Sequence, residues 1–69
     1  MKLKNQVKLA RVRAGDLTQQ QLADKVGCSR QTIHSIEKGK FNPSVELALK
    51  LAKVLECRVE EIFALNEED

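Results

Sequence analysis

The chain predicts an all-α fold, a compact bundle of five short helices, on three observations. Apolar residues recur at helical spacing from end to end, and no stretch shows the strict alternation of a half-buried strand. Glycines and small hydroxyl residues stand where helices would stop and start. At 69 residues, with 42% apolar side chains and only two aromatics, Phe41 and Phe63, there is material for one aliphatic core, so residues 1–69 are expected to form one domain.

The first helix is expected from about Lys4 to Ala14, with Val7, Ala10 and Ala14 on its inner face and Gly15 as its stop. Thr18 opens the second helix as N-cap, and Gln21 three residues on completes a capping box. Leu22, Ala23 and Val26 form its inner face, and Gly27 ends it. The turn "GCS" follows, in which Gly27 can adopt positive φ, Cys28 can tuck inward and Ser29 caps the next helix. That third helix spans Arg30 to Lys38 and stops at Gly39. Pro43 has no amide donor and pushes Asn42 out of the α region, so "KFNP" is a loop. Ser44 then caps a fourth helix with the stripe Val45, Ala48, Leu51, Ala52 and Leu55. A fifth, around Val59 to Leu65, presents Val59, Ile62 and Phe63 before an acidic tail at 66–69 that is expected to fray.

Charge narrows the function. The formal net charge is only +2. Residues 1–40 nevertheless hold nine Lys/Arg against three acids, a local +6, and residues 41–69 hold three against seven, a local −4. A basic half points to a polyanionic partner. No apolar run reaches transmembrane length, and the basic start "MKLKNQVK" is not followed by the apolar segment of a signal peptide, so a cytoplasmic protein without membrane contact is expected. There a reducing environment keeps Cys28 and Cys57 as free thiols, each standing where a small apolar residue would serve. With His34 they show neither the CxxC nor the HxxxH spacing of a zinc site, and no metal or other cofactor is expected. One histidine with no nucleophile and base pair argues against an enzyme, and no small-molecule ligand is evident.

With Ile33 and Ile36 turned inward, a helical wheel directs Gln31, His34, Ser35 and Lys38 outward, sets Arg30 at the rim of that arc, and leaves Thr32 and Glu37 flanking the buried pair. An outward polar face belongs to any surface helix. The first turn says more. The helix dipole favours acids at an N-terminus, and the fourth and fifth helices obey with Glu46, Glu60 and Glu61, whereas the third opens with "RQT". An acid-free N-terminus can accept phosphate, and Arg and Gln can each form two hydrogen bonds with a base edge, to guanine and adenine respectively.

A capped helix, a glycine turn and a second helix held by isoleucines make a helix-turn-helix at about 18–38. More narrowly, the motifs T-Q-x-x-L-A, V-G-x-S-x-x-x-I, I-E-x-G and the following P-S resemble the Cro and repressor class of helix-turn-helix transcriptional regulators, over about Val7 to Phe63. The resemblance implies a lambda-repressor-like five-helix domain that binds double-stranded DNA. It implies base reading by Arg30, Gln31, His34 and Ser35, and contacts to the DNA backbone by Gln19, Ser29, Thr32, Lys38 and Lys40. Gln19 would also brace the first residue of the recognition helix. Arg11 and Glu37 match a structural ion pair of the class; from the residues alone, Arg11 could instead reach phosphate.

The resemblance further implies a repressor that binds a palindromic operator as a homodimer, since one short helix reads too few base pairs for useful selectivity. The acidic half, with Ile62, Phe63 and Leu65, is the expected seam. An alternative of another class is an antitoxin that binds a partner protein and regulates its own promoter. It would need a partner-binding segment beyond the DNA-binding core, and only "ALNEED" is left for one. The chain departs from the class at three places: Arg58 stands where a small cap before the fifth helix is common, Cys28 and Cys57 replace Val or other small residues, and Asp16 lengthens the first turn between helices.

Overall fold

The computed structural model describes residues 2–66. In chain order these form β1 (Lys2–Asn5), α1 (Val7–Arg13), α2 (Gln19–Val26), α3 (Arg30–Glu37), α4 (Val45–Val54), α5 (Val59–Ile62) and β2 (Phe63–Asn66). The predicted all-α bundle is present. Its core joins Val7 of α1, Leu22, Ala23 and Val26 of α2, Ile33 and Ile36 of α3, Leu51 and Ala52 of α4 with Leu55 at its C-terminal cap, and Ile62 of α5. Full burial of a Val, Leu or Ile side chain contributes about 1.5–3 kcal/mol against about 1 kcal/mol for a helix cap, and with eight such side chains in it this cluster dominates the stability.

The helix signals in the sequence act as expected. Thr18 Oγ1 accepts the Gln21 amide at 3.0 Å while Gln21 Oε1 accepts the Thr18 amide at 2.8 Å, a complete capping box. Ser29 and Ser44 cap α3 and α4 by accepting the amides of Thr32 and Leu47, each at 3.1 Å. Gly27 (φ 80°) and Gly39 (φ 75°) lie in the left-handed region, where a side chain would be strained. At Gly39 this lets the Lys40 amide fold back on the Ser35 carbonyl, 2.9 Å away, which closes α3.

Three expectations need correction. The first and last described residues are not helical: β1 and β2 pair antiparallel, in the register Lys2 with Asn66, Leu3 with Leu65, Lys4 with Ala64 and Asn5 with Phe63. Lys4 and Asn5 therefore belong to a strand, and α1 starts at Val7, where Asn5 Oδ1 accepts the Val7 amide at 3.2 Å. The fifth helix is a single turn. Phe63 is already extended (φ −131°, ψ 135°), and Arg58 supplies no side-chain cap, the weak start its residue type foretold. Third, Val45 is 77% exposed. As the first residue of α4 it has no preceding turn beneath it, and Leu47 packs on the core instead. Of the expected acidic tail, Asn66 pairs in β2, and residues 67–69 lie outside the described residues.

Candidate nucleic-acid interface

The interface is built around α3, and its two ends are held differently. At the C-terminal end the only acid of the helix, Glu37, is drawn inward. Arg11 Nε lies 2.8 Å from Glu37 Oε2 and Arg11 Nη2 lies 3.2 Å from Oε1, a two-pronged pair whose side chains are 13% and 5% exposed. Gln19 Nε2 donates to the same carboxylate at 3.0 Å, and Arg11 Nη1 also donates to the Leu17 carbonyl at 2.7 Å, across the turn between α1 and α2. Burial pushes the Glu37 carboxyl up, but hydrogen bonds from Arg11 and Gln19, with the charges of Arg11 and Lys8, outweigh it and hold the group below the usual carboxylate range. The bond to Glu37 raises Arg11 in turn, against the opposing effect of its own burial.

A further restraint comes from the amino-terminal strand. Asn5 Nδ2 donates at 2.8 Å to the Ile36 carbonyl at the end of α3, which also accepts the Gly39 amide at 2.9 Å. Both ends of one short side chain are thus used, its oxygen starting α1 and its nitrogen finishing α3. Sequence reasoning missed Asn5, because a strand of four residues gives too little alternation to reveal itself.

Along the outer face of α3, from its N-terminal end to the loop that follows it, the side chains are open to solvent. Arg30, Gln31, His34, Lys38 and Lys40 are exposed, and Thr32 and Ser35 are half-buried. Arg30 and Lys38 form no ion pair among the described residues. The hydroxyls of Ser29 and Thr32 lie 2.9 Å apart, and Gln31 Nε2 reaches Ser35 Oγ at 3.3 Å, contacts easily exchanged in an exposed position. Lys40 is carried onto the same side by the closure at Gly39. With Glu37 sequestered, α3 presents polar donors and cations outward and no carboxylate. The acid-free first turn extends further than expected: α1, α2 and α3 all open without an acid, whereas α4 has Glu46 and α5 has Glu60 and Glu61.

Two expected positions are altered by the geometry. The hydrogen bond of Gln19 is to Glu37, at the end of α3 opposite Arg30, so Gln19 braces the last turn of the recognition helix instead of its first residue. Among the residues expected at a dimer seam, Ile62 is 1% exposed within the core and has no surface to offer a partner. Phe63 packs partly on that core, and Leu65 is 59% exposed. Both stand on β2, so any seam there involves a strand and not a helix face. Cys28 and Cys57 are free thiols packed against the core, and burial raises both, that of Cys57 with help from Glu61. Among the described residues no helix is long and apolar enough to cross a membrane.

A side-chain-capped α2, a left-handed glycine turn and an α3 whose inner face is buried and whose outer face is basic define a helix-turn-helix DNA-binding domain. The profile of the Helix-turn-helix family matches residues 7–62, and the chain belongs to that family. The uncharacterized HTH-type transcriptional regulator MJ0272 of Methanocaldococcus jannaschii is 46% identical over 67 residues, spanning 97% of this chain and 100% of its own. YgzD of Bacillus subtilis, named in the same way, is 45% identical over the same shares of the two chains. Among solved structures, the restriction-modification controller protein C.AhdI of Aeromonas hydrophila superposes with a TM-score of 0.73 at 33% identity, over 80% of this chain and 78% of its own. A Bacteroides fragilis protein of known crystal structure shares the fold, with a TM-score of 0.81 at 24% identity over 90% of this chain and 98% of its own. The protein is thus a DNA-binding transcriptional regulator of the helix-turn-helix type, a family of regulators and not of enzymes.

Proposed function

We propose that the protein is a cytoplasmic repressor that binds a palindromic operator as a homodimer, with α3 of each protomer in the major groove. The observation that supports this best is the sequestration of Glu37 by Arg11 and Gln19, which clears the outer face of α3 of negative charge. Arg30 and Gln31 at its free end read base edges, and His34 and Ser35 extend the contact along the groove. Ser29, Thr32, Lys38 and Lys40 engage the phosphates on either side, with Gln19 at the margin, and they supply affinity that falls steeply with salt. Homodimerisation runs through the β1–β2 sheet, where Leu65 leaves apolar surface exposed on the acidic half of the chain.

Selection of bound duplexes from a random DNA pool tests the reading. The expected winner is an inverted repeat whose half-sites are about one helical turn apart. Winners with a single asymmetric site would remove the dimer, and enrichment of no sequence would remove base reading. Sedimentation of Leu65→Glu locates the seam: a fall to monomer mass is expected, and an unchanged dimer would move the seam off β2.

A further inference from the structure

Phe41 is the aromatic one of six large apolar side chains left exposed among the described residues. Phe63, the other aromatic, packs on the core, while Phe41 is 48% exposed beside the recognition helix. Together with Gln31, Thr32, Ser35 and Lys40 it lines a shallow depression of about 320 Å³ on the outer side of α3. The position is set by the backbone: Gly39 at φ 75° turns the chain, the Lys40 amide bonds the Ser35 carbonyl at 2.9 Å, and Phe41 follows directly. One wall of the depression is therefore aromatic, another is formed by side chains assigned to base reading, and a lysine stands on its rim.

We propose that Phe41 is a specificity-determining residue that receives the 5-methyl group of a thymine in the major groove, at a base pair next to the one Gln31 reads. The inference rests on α3 being the helix that enters that groove. Each base pair presents a distinct edge there, and the methyl of thymine is its apolar mark, recognised by contact with apolar side chains. A half-exposed phenyl ring in water has apolar surface left to bury, and a methyl group set against it gains what the hydrogen-bonding side chains of α3 cannot supply. The depression is continuous with the reading face, and Lys40 on its rim suits the phosphate that borders the groove. Phe41 therefore distinguishes thymine from cytosine without making a hydrogen bond.

The test uses the duplex selected by the wild-type protein, with each thymine replaced in turn by uracil, which removes the methyl and leaves the pairing intact. Affinities are measured for wild type, Phe41→Leu and Phe41→Ala, with thermal melting to establish that each variant is folded. One uracil replacement is expected to weaken wild type about three- to fivefold, the worth of one buried methyl group, to weaken Phe41→Leu less, and to leave Phe41→Ala unaffected. If wild type loses nothing at any thymine, or if wild type and Phe41→Ala lose equally, the methyl contact is overturned while the reading of α3 stands. A loss for Phe41→Ala that is the same on every duplex also overturns it and assigns the ring to the sugar-phosphate backbone. Failure of the wild type to select any sequence removes the reading of α3 itself, and the inference with it.

Discussion

The two ends of α3 show how a small fold can offer one surface while fixing it in place. Its last turn is tied to three other elements: to β1 through Asn5, to α1 through Arg11 and to the start of α2 through Gln19. Its first turn is anchored by Ile33 in the core and capped by Ser29, and beyond these Arg30 and Gln31 extend into solvent. The difference separates two tasks. A recognition helix must be held rigidly if its side chains are to meet base edges, yet the groups that do the reading must stay uncommitted to the protein. Here the holding groups gather on the inner side of the C-terminal end, while the leading reading groups, Arg30 and Gln31, stand at the N-terminal end and His34 and Ser35 continue along the outer face. The one carboxylate on the helix belongs to the holding set and is neutralised there.

Breaking the held end should have the largest effect. Glu37→Ala leaves the Arg11 guanidinium enclosed without its partner and should cost about 3 kcal/mol, the lower end for a broken buried pair. Thermal melting should then fall by roughly 12–24 °C for a domain of this size. The same pair gives a pH dependence. Since the folded carboxyl lies below its ordinary value of 4.5, the pair contributes in full above about pH 4.5 and its contribution is lost as pH falls through the lower folded value. Wild type should lose stability over that acid range, and Glu37→Ala should lose less. A smaller effect is expected at Asn5, where Asn5→Ala removes the bond to Ile36 and the one that starts α1, for about 1–2 kcal/mol in denaturant unfolding. Smallest, and opposite in sign, is Arg58→Ser. It gives the uncapped α5 the kind of start α3 already has and should gain about 0.5–1 kcal/mol. The exposed contact it removes, between Arg58 and Glu61 at 3.8 Å, contributes little to set against that.

Most of the reading end was legible in the sequence, because it is made by local signals. Caps, glycine stops and a 3.6-residue apolar period act over a few neighbours, and Thr18, Gln21, Gly27, Ser29 and Gly39 do what their residue types imply. The held end was legible only where a family pattern supplied the long-range partner, as for Arg11 and Glu37. Asn5 had no such guide. Its role depends on strands from opposite ends of the chain meeting, and register between segments so far apart leaves no mark on local periodicity. The same blindness extended the first and fifth helices into residues that pair as β1 and β2. Val45 failed for a different reason: a helical stripe has no meaning at the first residue, where the turn that would complete it is missing. The contrast between acid-free and acidic helix openings is visible in the sequence and is wider than α3 alone. It divides α1 to α3 from α4 and α5, along the same line as the division of charge.

The separation of a held end from a reading end is tested most directly by Arg30→Ala, assayed on the selected operator and on random duplex DNA of equal length. Loss of a base-edge contact predicts unchanged melting and about 1–3 kcal/mol weaker binding to the operator, with a clearly smaller loss on random DNA. An equal loss on both duplexes would make Arg30 a phosphate contact and contradict the account of the free end of α3 as the end that reads.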